Sequence, residues 1–249
     1  MKIISDQSVE KLKKMSANYL CELLSDSKLK NTPTLLLFSG GSAFEIIKEI
    51  KKDCVGNYLT VGMLDERFET DPKMNNFLQF KATEFYRLAN EIGCEFIESI
   101  PGNEKSVEDF AEKIEEKWKN WRTRNSNGKI FITQGVGADG HTAGIVPYAE
   151  NKNFFKKIFE NDSIIVAGYD AGSKNKYPKR ATATLSFLKN EVDVSLIWIV
   201  GKDKIKPFND IMSDKGDLAE TPARIIREMK DAIIFTDIKN NQYGEQNGK

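Results

Sequence analysis

The residues best equipped for chemistry lie in one short stretch, Gly135-Val-Gly-Ala-Asp139-Gly-His141-Thr142. His141 is the only histidine in the chain. Imidazole titrates near neutral pH and can take a proton from water, and a carboxylate two positions away, Asp139, can orient it. A lone histidine is more often structural than catalytic. Three glycines within six residues change the reading, because they mark a loop whose backbone takes conformations that other residues avoid. With one histidine and no CxxC pair, the chain lacks the ligand pattern of a catalytic or structural zinc site.

Three further stretches could serve such a base. Ser39-Gly40-Gly41-Ser42 follows the apolar run Thr34 to Phe38 and precedes a helical segment, where free N–H groups make an anion site. Ser42 stands three residues before Glu45, so a plain capping box is the simpler expectation there. The spacing of these glycines is not GxGxxG and no GK[ST] follows them, which argues against dinucleotide and P-loop binding at this turn. Leu64-Asp65-Glu66-Arg67-Phe68 follows the run Tyr58 to Met63. A charged run of this kind is most simply a solvated turn, but Asp65 and Arg67 would share a face if the strand continued, and would suit an oxygen-rich substrate. Arg180 and Lys204, near the last strands, could together neutralise a phosphate.

The elements that must position these loops are readable from apolar periodicity. Short runs at 34–38, 58–63, 94–98, 130–133, 164–168, 194–200 and 232–235 read as strands. Segments of helical period lie between them, the clearest being 107–121 with Ser106 as its cap. Strands apolar on both faces and separated by helices imply one α/β domain, a mostly parallel sheet covered by helices on both faces. In such sheets ligands bind outside the carboxyl ends of the strands, where the glycine loops fall. The expected domain spans residues 1–238, with 239–249 as a polar tail.

Composition limits the alternatives. The chain has 249 residues, with 37 Lys+Arg against 37 Asp+Glu, so no uniform field attracts nucleic acid or acidic membrane. Cys21, Cys54 and Cys94 are odd in number and far apart, which argues against a disulfide framework and fits a reducing compartment. No apolar run approaches the ~20 residues of a membrane helix, and the first residues turn polar at once. The expectation is a cytoplasmic protein with no membrane or nucleic-acid partner.

Taken in order, SGGSA, LDERF, Asn75-Asn76, GVGADGHTAGIVP, PKRATATLSFL and GKDKIKPF resemble the 6-phosphogluconolactonases, in the superfamily shared with glucosamine-6-phosphate isomerase/deaminase. The resemblance runs over about residues 35 to 210, with a looser echo in ETPARII. It implies a Rossmann-like fold and hydrolysis of 6-phosphoglucono-1,5-lactone in the pentose phosphate pathway, with His141 as the general base. Asp139 would support the loop, and Asp65 and Arg67 would lie beside the substrate. Gly40, Gly41, Ser42, Arg180 and Lys204 would hold the sugar phosphate. No metal or redox cofactor is implied, and relatives include monomers and larger assemblies, which leaves the oligomeric state open. Val146 stands where the deaminases carry a glutamate, and Arg67 where they carry a tyrosine. Ala43, Asn75, Gly144 and Val146 depart from the lactonase pattern. The competing expectations are a deaminase-like enzyme and a sugar-phosphate binder without turnover.

Overall fold

The computed structural model describes residues 1–239. The expected tail at 239–249 therefore lies outside the described residues except for Lys239. Among the described residues ten strands occur in chain order: β1 (Lys2–Ser5), β2 (Thr34–Phe38), β3 (Leu59–Met63), β4 (Asp65–Arg67), β5 (Glu95–Phe96), β6 (Lys129–Gly135), β7 (Val166–Asp170), β8 (Lys179–Ala183), β9 (Val194–Ile199) and β10 (Ala232–Thr236). The α-helices are α1 (Val9–Leu29), α2 (Asn76–Lys81), α3 (Glu84–Ile92), α4 (Val107–Arg124), α5 (Lys152–Phe159), α6 (Leu185–Asn190) and α7 (Ile205–Met212).

Seven strands form a parallel sheet in the order β1-β10-β9-β6-β2-β3-β5. Alternation along the strands explains its two-sided burial. Leu35, Leu37, Ile130, Ile132 and Ile197 enter one core with Phe110, Ile114, Trp118 and Trp121 of α4. Leu36, Phe38, Phe131, Leu196 and Phe235 enter the other, with Leu12, Leu20 and Leu24 of α1. Ser106 caps α4 by accepting the Asp109 N–H, and Ser8 does the same for α1 with the Lys11 N–H. No described helix is long and apolar enough to cross a membrane.

Three features differ from the sequence expectation. The first is a second, antiparallel sheet, β4-β8-β7. It takes the 164–168 run out of the parallel sheet and pairs it with the polar segment KRATA. Leu64 is the pivot between the sheets: its N–H donates to Phe38 O at 2.8 Å, and its carbonyl accepts from Ala183 N at 3.1 Å. The second is the segment after Ser39, a 3-10 turn over Gly41–Glu45 with Gly40 at its cap position and no side-chain cap. Ser42 therefore lies inside the turn and caps nothing. Glu45 is drawn instead to Lys13 and Lys48.

The third difference corrects the cysteine reading. Cys21 of α1 and Cys54 are joined as a disulfide, with Cα atoms 5.3 Å apart. Their separation of 33 residues in sequence hides a close approach, because the chain runs out along β2 and returns to α1. Only Cys94 is a free thiol, and it is buried.

Candidate active site

The glycine loop forms where β6 leaves the sheet. Gly137 N donates to His141 O at 2.8 Å and Gly140 N to Gly137 O at 3.0 Å, closing a tight turn that projects His141. The Thr142 hydroxyl sits between Gln134 Oε1 (3.0 Å) and Gly135 O (2.9 Å), while Gln134 Nε2 donates to Ser195 Oγ on β9 at 2.9 Å. Gln134, Thr142 and Ser195 are wholly buried, so the loop stands on a hydrogen-bonded polar foundation.

Within the loop, His141 Nδ1 lies 2.6 Å from Asp139 Oδ1, and the His141 backbone N–H donates to the same oxygen at 3.1 Å. Burial alone would push the Asp139 carboxyl up. The hydrogen bond from His141, its charge and nearby backbone N–H groups outweigh that and hold the group at about 2. An ionised carboxylate only accepts, so Nδ1 carries the hydrogen and the Nε2 lone pair is left to take a proton. About two-fifths of the imidazole is exposed, so water can reach it.

The antiparallel sheet supplies the opposite wall. Asp65 and Arg67 do alternate on one face of β4, but they do not bond each other. Asp65 pairs with Arg180 of β8 (Oδ2 to Nη2, 3.0 Å) and accepts from Ser39 Oγ at 2.8 Å. Both members of this ion pair are buried, at 5% and 7% side-chain exposure. Arg67 lies directly opposite Arg180 in the strand register. Its Nη1 donates to Met74 O at 2.8 Å, and its guanidinium stacks on the Tyr177 ring at 4.9 Å. The Nε groups of both arginines are buried without a partner. Two adjacent guanidinium groups with unused donors suit an anion.

The two walls touch. A Cβ added at Gly144 would stand 2.8 Å from Asp65 Cβ, so only glycine lets the loop close on β4. The Ala143 carbonyl accepts from the Thr182 hydroxyl, and the Gly144 carbonyl accepts from Tyr169 OH at 2.5 Å. Ala143 itself takes φ of +47°, a left-handed conformation that a non-glycine residue holds only when its surroundings fix it.

The remaining expected residues gather less tightly. A Cβ at Gly40 would fall 2.3 Å from Asn76 Oδ1, which explains the glycine there, and Gly41 has φ of +66°. Ser42 Oγ reaches the end of β6, 3.4 Å from the Cβ position of Gly135. Lys204 follows β9, the neighbour of β6, and pairs with Asp203 at 3.0 Å. Among the described residues, no hydrogen bond or ion pair joins Lys204 to Ser42 or Arg180. Nor does any group of three or more His, Cys, Asp or Glu converge as a metal ligand set.

Sequence reasoning missed several parts of this cluster. Glu66 is 1% exposed, not part of a solvated turn. Its carboxylate accepts from four donors, yet burial still pushes it up to about 8. Ser39, Tyr177, Thr182 and Thr221 also belong to the cluster; the last packs on Gly140, whose carbonyl accepts from Ala223 N at 3.0 Å. Tyr177 and Thr182 lie in and just before PKRATATL, so only their partners were invisible.

Known proteins share this fold. The family model described as "Glucosamine-6-phosphate isomerases/6-phosphogluconolactonase" matches residues 7–235. A curated 6-phosphogluconolactonase of Borreliella burgdorferi is 29% identical over 114 residues, 45% of this chain and 44% of that protein. The matched segment thus spans less than half of that relative. Among solved structures, the 6-phosphogluconolactonase from Trypanosoma brucei superposes with a TM-score of 0.74 at 16% identity, over 97% of this chain and 98% of that one. One from Shewanella baltica gives 0.68 at 16% identity, over 94% and 96%. A monomeric glucosamine-6-phosphate deaminase gives 0.69 at 14% identity, over 95% and 97%. At these identities the superpositions establish the fold, which both activities share.

Proposed function

The chain belongs to the glucosamine-6-phosphate isomerase/6-phosphogluconolactonase family, and within it we propose that the protein hydrolyses 6-phospho-D-glucono-1,5-lactone to 6-phospho-D-gluconate, a step of the pentose phosphate pathway. The observation that carries this reading is the Asp139–His141 pair, with Nδ1 held at 2.6 Å and Nε2 free at the carboxyl end of the sheet.

In this mechanism Nε2 takes a proton from water as the oxygen attacks the lactone carbonyl. The C1–O5 bond then breaks, and the imidazolium passes its proton to the ring oxygen, which becomes the hydroxyl of the open acid. The carboxylate of Asp139 offsets the imidazolium charge as it forms. The phosphate at the far end of the sugar is held by the Gly40–Ser42 turn with Arg180 and Lys204, and the unused Nε of Arg180 supports that assignment. Asp65 keeps the Arg180 guanidinium fixed, and Arg67, braced on Tyr177, lies beside the substrate.

The relatives divide between two reactions, and Val146 favours the lactonase. It is 1% exposed and packed in the apolar core, so no proton-transferring group occupies the position that the deaminases fill with glutamate. The discriminating experiment offers both substrates to the same preparation. Accelerated loss of freshly generated lactone without ammonia release from glucosamine 6-phosphate is the expected outcome; ammonia release would assign the other branch. A sugar-phosphate binder without turnover would bind 6-phosphogluconate and accelerate neither reaction. A cytoplasmic site of action belongs to the same proposal. The Cys21–Cys54 bond pulls against it, and thiol counting in freshly lysed cells decides that point.

A further inference from the structure

Glu66 is a buried carboxylate without an ion-pair partner, sandwiched in sequence between two residues of the site. Its Oε1 accepts the N–H groups of Arg67 (2.8 Å) and Asn76 (2.6 Å), and its Oε2 accepts the Phe77 N–H (2.8 Å) and the Ser99 hydroxyl (2.9 Å). These donors come from three places: β4 itself, the first turn of α2 and the segment after β5. Burying a carboxylate is costly, so a site that supplies four neutral donors fixes its geometry tightly.

Asn76 carries that geometry into the site. Its Nδ2 donates to Asp65 O at 2.9 Å, which settles the orientation of the amide. Its Oδ1, buried and without a donor, faces Gly40. One end of Asn76 therefore holds the backbone of the residue that fixes Arg180, and the other end sets the seat of the Ser39–Ser42 turn. None of Glu66's hydrogen bonds reaches the Asp139–His141 loop.

We propose that Glu66 is a positioning residue for the phosphate-binding half of the site, acting through Asn76 on Asp65 and Gly40, with no hydrogen bond of its own to the histidine half. The assignment of that half to phosphate rests on the function proposed above. The role of Glu66 in ordering it does not.

The test is Glu66→Gln. A carboxyl oxygen accepts a hydrogen bond whether or not the group is charged, but an amide nitrogen cannot, so one backbone N–H of the 76–77 turn loses its partner. Steady-state hydrolysis, corrected for the spontaneous rate, is expected to show KM raised about tenfold or more with kcat within about threefold of wild type. A purely structural role would lower kcat per mole by reducing the folded fraction and leave KM unchanged; that result overturns the proposal. Should Glu66→Gln fail to fold, Asn76→Ala cuts the same linkage while Asn75 still caps α2 by accepting the Leu78 N–H. It must raise KM likewise, and an unchanged KM overturns the proposal. Hydrogen exchange supplies a readout that needs no activity. In either folded variant, amides 39–45 are expected to exchange about tenfold faster while those of β6 keep their protection. Unaltered exchange at 39–45 refutes the positioning role even if the wild-type protein proves inactive on the lactone, an outcome that would separately overturn the proposed function.

Discussion

Replacing Asp139 by asparagine separates two contributions that the carboxylate makes to His141. Both hydrogen bonds from His141, from Nδ1 and from the backbone N–H, end on a single oxygen, Oδ1. An asparagine oxygen in the same place can accept both, so the imidazole keeps its orientation and its tautomer. Only the negative charge is lost. In the ground state that charge faces a neutral ring; in the transition state it faces a forming imidazolium, so the loss falls on kcat. Two unit charges about 4 Å apart interact by roughly 1 kcal/mol in water and roughly 4 kcal/mol near a protein surface. With side-chain exposures of 38% for His141 and 48% for Asp139, the lower part of that range applies. A loss of about 1–2 kcal/mol corresponds to a roughly 5- to 30-fold fall in kcat with KM unchanged. Asp139→Ala also removes the orientation and should cost about another tenfold or more.

The assay is initial-rate lactone hydrolysis from pH 6 to 9, with the uncatalysed rate subtracted at each pH. The folded-state value of Asp139 is depressed to about 2 from 3.8, so its contribution is complete above 3.8 and fades only as pH falls toward 2. Asp139 therefore stays ionised over the whole assay range and adds no titration of its own to the comparison. Two results would refute the reasoning: an asparagine variant as impaired as the alanine one, or both variants as fast as wild type.

Other perturbations test other parts of the account. Arg180→Leu leaves Asp65 buried without its partner and should cost about 3–5 kcal/mol in urea denaturation, much of it recovered when Asp65→Asn is added. A loss below 1 kcal/mol would mean that the pair is solvated. Glu66 has a folded-state value raised from 4.5 to about 8, so its contribution to stability is complete below 4.5 and is lost as pH rises through 8. The urea midpoint should therefore fall between about pH 5 and 8 and level off above that, and the slope should flatten in Glu66→Gln. Closing the chain between Cys21 and Cys54, 33 residues apart, should contribute about 3–4 kcal/mol on the loop-entropy account, read as the drop in urea midpoint on adding a thiol reductant. Cys21→Ser should lower the midpoint by a similar amount and become insensitive to the reductant.

The parallel sheet was legible because its strands are buried on both faces and stand out as unbroken apolar runs, as in TLLLF and VSLIWI. The antiparallel sheet was not. Its β4 is three polar residues and β8 reads KRATA, so neither gives an apolar signal, and both are held by pairing across more than 100 residues of sequence. The same reason hid the partner of Asp65. Alternation placed Arg67 on its face correctly, but the guanidinium that reaches it comes from Arg180. The His141 loop was readable because glycine, aspartate and histidine are uncommon at such density. Its supports were not: Thr182 and Tyr169 donate to loop carbonyls and Gln134 accepts from the Thr142 hydroxyl, and such bonds leave no pattern in the supporting residue's own sequence. Glu66 was misjudged for a related reason: a charge in a charged run reads as solvated unless the helix start that receives it is known.

The most direct test of the central claim compares wild-type protein and His141→Ala on freshly generated 6-phosphogluconolactone, with the spontaneous rate subtracted and the fold of the variant checked by its unfolding midpoint. The account predicts clear acceleration by the wild type and a loss of about 100-fold or more in kcat in a variant that still folds and still binds 6-phosphogluconate. A folded variant that hydrolyses the lactone as fast as wild type would contradict it, because His141 Nε2 is the group assigned to take the proton from water.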